Sequence, residues 1–156
     1  MRFTLLLLVA LSLGLSACKS SQQLMYESLP ADFSVVVKRT PCMGTCPYYD
    51  LSVSADGTVN YIGRSHVKLQ GEHSKQLPAE KVVALKEVIN SSDFWTWDEA
   101  YDDPRIADLP GVSIACTMNG RSHSVIVRTE APKGFASLVQ TVEALIRLDG
   151  FDPIVE

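Results

Sequence analysis

Short segments in which apolar and polar residues alternate constrain the fold of this chain more than any other feature. Three apolar residues share one face of each of the first two segments: Phe33, Val35 and Val37, then Tyr49, Leu51 and Val53. Alternation with a period of two is typical of strands that bury one face. The turn pairs Asp56-Gly57 and Asn119-Gly120 favour tight hairpins between neighbouring runs. We therefore predict an antiparallel sheet of about five or six strands.

Two other segments carry apolar residues at helical spacing. Pro78 opens the first and Pro132 opens the second, at positions where a helix tolerates proline. Their apolar stripes are Val82, Leu85, Val88 and Ile89, and then Phe135, Leu138, Val139, Val142, Leu145 and Ile146. Further strands are expected near 59–61, near 65–72 (the weakest), and at 112–118 and 122–128. The order βββ(β)αββα predicts an α+β fold with both helices packed on one face of the sheet.

The start of the chain has the features of a secretory signal. Arg2 provides a positive charge, and residues 3–15 form an apolar run that is short for a membrane-spanning helix. The run ends in Leu15-Ser16-Ala17-Cys18, which resembles the lipobox of bacterial lipoproteins. This resemblance implies cleavage before Cys18, diacylglycerol on its sulfur, and an acyl chain such as palmitate on the new amino terminus. The alternative is an ordinary secretory signal in which the cysteine stands by chance.

These features divide the chain into three parts. We predict a signal peptide at 1–17, a lipidated cysteine with a polar tether at 18–31, and a single domain at 32–152. Several acyl chains give firm membrane anchoring, and Lys19 is not the aspartate that commonly retains lipoproteins in the inner membrane. We therefore expect a lipid-anchored protein of the bacterial cell envelope, at the outer membrane and facing the periplasm.

The charge of the mature chain narrows the class of partner. Removal of residues 1–17 takes away Arg2 and leaves 13 Lys and Arg against 18 Asp and Glu, a formal charge of −5. An acidic balance without a cluster of Lys or Arg argues against nucleic acid as a partner. The expected partners are the membrane, through lipid on Cys18, and an unknown envelope protein or glycan.

The string TPCMGTCPYYDL, residues 40–51, contains two cysteines between two prolines. Paired thiols are expected to oxidise in a compartment such as the periplasm. A fully extended Cys-x3-Cys would hold its Cα atoms roughly 13 Å apart, which is too far for a disulfide. The segment must therefore turn, and Gly44 makes a turn easier. We predict a structural disulfide between Cys42 and Cys46.

Two other uses of Cys42 and Cys46 stay open. One is thiol-redox exchange, although redox dithiols are usually Cys-x-x-Cys at a helix amino terminus, whereas strand-like sequence follows here. The other is Cu(I) handling, because CMGTCP superficially resembles the Cys-x3-Cys-Pro of copper-delivery proteins. Additional copper ligands would come from Met43, His66, His73 or His123.

The third mature cysteine outside the lipobox is Cys116. It shares the apolar face of its predicted strand, so we expect a buried, reduced thiol. The alternative is a long-range bridge to Cys42 or Cys46.

The sequence has no recognisable catalytic motif. It lacks a Ser-His-Asp order, a nucleophile elbow and a phosphate-binding glycine loop. The carboxylates of the loop at 98–110 do not have the spacing of a calcium loop, and we interpret them as solvated: Asp98, Glu99, Asp102, Asp103 and Asp108. We assign no catalytic residue, cofactor or metal, and we favour a non-enzymatic role.

The densest aromatic patch lies at 94–101. We expect it to seal the core beneath the first predicted helix. The alternative is that Trp95, Trp97 and Tyr101 form a surface for a partner, since Trp and Tyr are enriched at binding hot spots.

The run from Arg39 to Val59 resembles the signature of an uncharacterised bacterial domain family, a domain of unknown function found in exported proteins and lipoproteins. The specific part comprises Arg39, Pro41, Cys42, Gly44, Cys46, Pro47 and Tyr49. Landmarks near 92–95, 108–110, 119–120 and 131–132 match as well, so the resemblance spans about 35–148. It departs at 127–130, where members tend to carry aromatic residues and a glycine. The resemblance implies fold and export but brings no activity.

Two functional hypotheses follow from these features. The first is a non-catalytic, periplasm-facing binding domain on a lipid anchor. The second is a thiol-redox or Cu(I)-handling protein that uses Cys42 and Cys46.

Overall fold

A computed structural model describes residues 20–103, 105–106 and 108–147. Within these residues, seven strands form one mixed sheet, with three α-helices and a 3-10 turn at Phe94–Thr96. The strands are β1 (Ser34–Arg39), β2 (Tyr48–Ser54), β3 (Thr58–Ser65), β4 (Gly71–Gln76), β5 (Ala100–Tyr101), β6 (Val112–Met118) and β7 (Arg121–Val127). The helices are α1 (Ser21–Glu27), α2 (Ala79–Asn90) and α3 (Phe135–Ile146). The predicted α+β fold is confirmed.

The strands lie in the order β4-β3-β2-β1-β6-β7-β5. Every neighbouring pair is antiparallel except β5 and β7, which run parallel. The count exceeds the predicted five or six because a two-residue strand, β5, lies in the acidic loop that carries no alternation. The weakest predicted strand, at 65–72, forms instead at Gly71–Gln76. Its sequence, GEHSKQ, is polar on both faces and gives little pattern to locate it.

One face of the sheet is buried beneath α2 and α3. Alternate residues of the central strands are almost fully buried and share one apolar core with the predicted stripes of both helices, including Val35, Val37, Leu51, Val53, Ile114, Leu85, Ile89, Leu138 and Val142. The other face carries polar residues such as Lys38, Asn60 and Ser124 and is the more solvent-exposed of the two. The sheet therefore has one covered face and one open face.

The hairpin predicted at Asn119-Gly120 is present between β6 and β7. Asn119 has φ 55° and Gly120 has φ 72°, the left-handed conformation that the tightest hairpin turns require. The Asp32 carboxylate accepts hydrogen bonds from both backbone N–H groups, at 2.9 and 2.6 Å. The segment before β1 is thereby tied to this turn.

The segment interpreted as a polar tether, 18–31, contains helix α1. The Ser20 hydroxyl caps it by accepting a hydrogen bond from the Gln23 N–H, at 3.2 Å. Cys18 and the predicted signal peptide lie outside the described residues. Within the part of the chain that the structure describes, no helix has the length and apolar character needed to cross a membrane.

Candidate functional site

The loop between β1 and β2, residues 40–47, is closed by a disulfide. Cys42 and Cys46 have their Cα atoms 5.7 Å apart, within the normal range for this bond. The Gly44 N–H points at the Cys42 sulfur, 3.2 Å away, so the loop turns where the glycine was expected to help. Met43 stands at the tip with 84% of its surface exposed. The disulfide-closed loop thus carries an apolar side chain into solvent.

A buried cluster of three polar side chains lies directly beneath this loop. Arg39 ends β1 and Tyr49 lies opposite it on β2, so both project onto the covered face. Glu143 of α3 lies between them and is 5% exposed. The Arg39 Nε donates to Glu143 Oε1 at 3.0 Å, and a second guanidinium nitrogen donates to Oε2 at 3.1 Å. The Tyr49 hydroxyl donates to Glu143 Oε1 and accepts from the Arg39 Nε at 2.9 Å.

Burial and charge shift the pKa values of Tyr49 and Arg39 in this cluster. Burial raises the pKa of Tyr49 far above its ordinary value, and the negative charge of Glu143 adds to that effect. Burial by itself would lower the pKa of Arg39, but the hydrogen bond and charge of Glu143 raise it above its ordinary value. The cluster is therefore a neutral tyrosine and an arginine cation around one carboxylate. It clamps both stems of the disulfide-closed loop to α3.

Glu143 was missed by the sequence reasoning, although the sequence carried a signal for it. It follows Val142 and precedes Ile146 by three residues, so it falls within the apolar stripe of the last helix. A carboxylate at a core-facing position of a helix needs a buried cationic or hydrogen-bonding partner. Arg39 and Tyr49 were singled out only as motif residues, and the structure brings them together with Glu143.

The acidic loop, 98–110, approaches the disulfide-closed loop from the other side. Arg128 donates to the Asp102 carboxylate at 3.1 Å and to the Leu109 carbonyl at 3.4 Å. At the loop's end, the Thr40 N–H donates to the Gly111 carbonyl at 2.9 Å, and the Gly111 N–H donates to the Thr40 hydroxyl at 2.7 Å. These bonds join two segments that lie some 70 residues apart along the chain.

Between the two loops lies a groove of about 430 Å³. Its walls are Thr40, Pro41, Cys42, Met43, Asp108, Leu109, Ile126 and Arg128. Most of this lining is apolar, with one carboxylate and one guanidinium. Such a combination, a hydrophobic lining with a few placed polar groups, is typical of binding sites. The groove unites the motif residues Pro41 and Cys42 with residues of the acidic loop that sequence reasoning treated as solvated.

The residues of the predicted aromatic surface are not among those that line the groove. Trp95, Trp97 and Tyr101 are half-buried and pack against the core. The Arg121 guanidinium covers Trp95 at 4.4 Å from the ring centre, and Trp97 packs on Phe135 at 5.9 Å. This packing matches the expectation that the patch seals the core, while the role of the three residues as a partner surface stays a prediction.

Pro47 and Gly44 complete the motif at the loop, with Pro47 directly preceding β2.

Cys116 is a free thiol, 2% exposed, and burial raises its pKa to about 12, with the charge of Asp32 adding to the rise. Among residues 20–103, 105–106 and 108–147, no group of three or more His, Cys, Asp or Glu side chains lies close enough together to hold a metal ion.

A known protein family matches most of the chain. Residues 33–146 match the model of a domain of unknown function, DUF6438. The chain belongs to this family. The match covers every element from β1 to α3, and with them the disulfide-closed loop, the buried cluster and the groove. It agrees with the resemblance drawn from Arg39–Val59, while the motif itself and the lipoprotein context stay predictions. No curated protein matches the chain at a significant level.

Proposed function

We propose that this DUF6438 chain is a lipid-anchored, non-catalytic binding domain of the bacterial cell envelope that docks a partner protein in the groove between the disulfide-closed loop and the acidic loop. The observation that carries the proposal is the exposure of Met43 beside the apolar groove wall formed by Pro41, Leu109 and Ile126. Contiguous exposed apolar patches rimmed by polar residues are typical of interaction sites.

The charge around the groove favours a partner segment that is both apolar and basic. Residues 98–110 contain Asp98, Glu99, Asp102, Asp103 and Asp108 but only one cation, Arg105. Arg105 is already paired with Asp103 at 2.7 Å, and Arg128 with Asp102 at 3.1 Å. The exposed carboxylate of Asp108 lines the groove, and the loop at 98–110 carries an excess of negative charge. Complementary charge would steer a basic segment towards the groove.

The arrangement of the buried cluster supports a binding role for the neighbouring loop rather than a reactive one. Arg39, Tyr49 and Glu143 are occupied with one another beneath the loop. They give the loop rigid stems, and a rigid surface loses less entropy when it binds. The disulfide in this proposal is a structural staple.

Site-specific photocrosslinking in cells tests the proposal. A photoreactive residue at Met43 should give a discrete protein adduct, whereas the same residue at Ala136, exposed on α3, should not. Introducing Leu109→Lys should abolish the Met43 adduct, because it places a charge in the apolar wall and its positive sign repels a basic segment. Equal adducts at both positions, or none at Met43, would contradict the assignment. A heterogeneous adduct that a glycosidase collapses would identify a glycan as the partner instead.

The redox or Cu(I) alternative rests on one observation. The disulfide lies in an exposed loop, and the Gly44 N–H directed at the Cys42 sulfur would also stabilise a thiolate. Thiol trapping under graded glutathione poise separates the two roles. A bridge that stays closed at the glutathione potential supports the staple, while opening there, or stoichiometric Cu(I) bound by the reduced protein, supports the alternative.

A further inference from the structure

The chain that precedes β1 is held against the domain by specific contacts. In α1, the Gln22 side-chain amide donates to the Glu80 carboxylate at 2.7 Å, and its oxygen accepts from the Ala79 N–H at 2.9 Å. The Tyr26 hydroxyl donates to the Leu77 carbonyl. These bonds attach α1 to the first turn of α2, where backbone N–H groups need partners. Helix α1 is therefore docked on the domain that follows it.

Docking of α1 shortens the link between the lipid-bearing residue and the fold. Only Lys19 and Ser20 separate Cys18 from the first helical residue, Ser21. At about 3.5 Å per residue, this distance cannot exceed roughly 10 Å. A free chain over 18–31 would instead have a root-mean-square span of about 20 Å and could extend further. The domain is thus close to its anchor.

The groove lies at the opposite end of the sheet from α1. The bonds of α1 are made beside the β2–β3 turn, where a side chain at Gly57 would meet both the Leu77 carbonyl and the Tyr26 hydroxyl. The groove is built on the residues that follow the other end of β1. Six residues of β1 separate the two ends by about 20 Å. Helix α1 and the groove therefore lie at opposite ends of β1.

The exposed side of α1 carries an apolar residue. Leu24 is 55% exposed, one of the few large apolar side chains among the described residues with that much exposure. It lies one turn from the end of α1 that leads to Cys18. A leucine at this distance from an acylated cysteine can reach the headgroup layer, where apolar side chains of surface helices are stabilised.

We propose that α1 is a rigid mount that holds this end of the domain against the lipid bilayer, with Leu24 at the membrane surface and the groove directed away from it. The inference rests on the lipid anchor of the proposed function. It deepens that function by giving the binding groove a fixed orientation, in which partners are approached from the side opposite the membrane.

Quenching by labelled lipid tests the orientation in the full lipidated protein. A fluorescent amino acid is incorporated at the exposed Lys81, which follows the α1 partner Glu80 in the chain, or at Met43, at the groove. The protein is inserted in phosphatidylethanolamine–phosphatidylglycerol vesicles containing a headgroup-labelled quencher lipid. We expect several-fold stronger quenching at Lys81 than at Met43. Equal quenching at the two positions would overturn the inference.

A pair of variants tests whether the contacts of α1 cause the orientation. Gln22→Ala with Tyr26→Ala removes the bonds to the rest of the domain and should make quenching at the two positions nearly equal. Gln23→Ala is the matched control, because its side chain bonds to Glu27 within α1 and, among the described residues, to no other element, and it should leave the difference intact. If the double variant kept the full difference in quenching between Lys81 and Met43, the inference that α1 sets the orientation would be wrong.

Intact mass of the protein extracted from the envelope separates the two proposals. Absence of lipid on Cys18 would overturn the anchor in the proposed function, and the mount with it. Lipid on Cys18 with equal quenching would overturn the mount alone and leave the anchor and the groove in place.

Discussion

Arg39 and Arg64 each have one carboxylate and one tyrosine as partners, but the two sets lie in different surroundings. Arg39 pairs with Glu143 at 3.0 Å and lies over the Tyr49 ring at 5.9 Å on the covered face. Arg64 pairs with Asp50 at 2.6 Å and lies over the Tyr48 ring at 5.1 Å on the open face. Each set contains an arginine, a carboxylate and a tyrosine. By the hydrogen-bond distance alone, the open-face pair would be the stronger one.

Burial reverses that ranking for the effect of mutation. The side chains of Arg39 and Glu143 are 22% and 6% exposed, whereas those of Arg64 and Asp50 are 42% and 26% exposed. Water can replace a lost partner on the open face. On the covered face a lost partner leaves a buried charge uncompensated. The comparison teaches that the buried set specifies where α3 sits, while the exposed set adds little to stability.

The largest expected effect is that of Glu143→Ala. Removing the carboxylate leaves Arg39 and the Tyr49 hydroxyl buried without their shared acceptor, and should cost about 3–5 kcal/mol of unfolding free energy. Urea denaturation of the variant measures this cost. Glu87→Ala is the control, because Glu87 is 66% exposed and pairs with Lys86 at 3.6 Å. Similar losses in both variants would break the comparison.

Tyr49→Phe should have the next largest effect. It removes a hydrogen bond to a charged group, for which a loss of about 1.5–3 kcal/mol is usual. Tyr48→Phe on the open face should be nearly neutral. A Tyr48 effect as large as that of Tyr49 would show that burial does not decide the difference.

The same tyrosine predicts a response to alkaline pH. Because burial raises the pKa of Tyr49 in the folded state, its contribution to stability is complete below the ordinary tyrosine pKa of about 10 and is lost as pH rises above that value. Tyr61, with a pKa raised to about 12 by burial, acts in the same direction. Unfolding free energy should therefore fall above pH ~10, and the fall should be smaller in Tyr49→Phe than in the wild type.

Removing the disulfide tests the loop that joins β1 and β2, the strands that carry Arg39 and Tyr49 of the buried set and Asp50 of the exposed set. Cys42→Ser with Cys46→Ser should cost about 2 kcal/mol, since the bridge closes only a short loop. Cys116→Ser is not a suitable control because that thiol is buried, so reduced wild-type protein serves instead. Reduction and the double substitution should give equal losses in thermal unfolding. A loss restricted to the substituted protein would show that the serines, and not the missing bridge, disturb the clamp.

Among the substitutions that break an ion pair or the disulfide, the smallest effect is expected for Asp50→Ala, at less than about 1 kcal/mol. Added salt should weaken the Arg64–Asp50 interaction further, because exposed charges are screened. Comparing the variant with the wild type at low and high salt checks both points. A cost comparable to that of Glu143→Ala would contradict the ranking.

The sequence predicted those parts of the fold that depend on local patterns. The alternation of Val35 and Val37, the stripe of α3 and the Asn119-Gly120 turn each correspond to the elements observed. Helix α1 was missed because SQQLMYE has no apolar stripe and is stabilised by contacts with α2. Strand β5 was missed because two residues cannot show a period.

The candidate site was predicted only in part for a related reason. The motif around Cys42 and Cys46 identified one wall of the groove, and the disulfide was expected from spacing and compartment. The other wall of the groove, formed by Asp108 and Leu109, meets the first only in the tertiary structure. The same holds for Glu143, which reaches the buried cluster from a distant helix. No local pattern states that residue 143 meets residues 39 and 49, although a carboxylate in an apolar stripe indicates that some partner must exist.

The central position of β1 determines when the chain can complete its fold. Its partner on one side, β2, follows within a short loop, but its partner on the other side, β6, begins at Val112. Until that distant strand arrives, β1 has an open hydrogen-bonding edge beside an apolar surface, which is a site for mispairing with other chains. A nascent or truncated chain ending before residue 112 would carry that hazard unrelieved. The time before the last third of the sequence emerges would therefore set how long chaperones must protect the unpaired edge of β1.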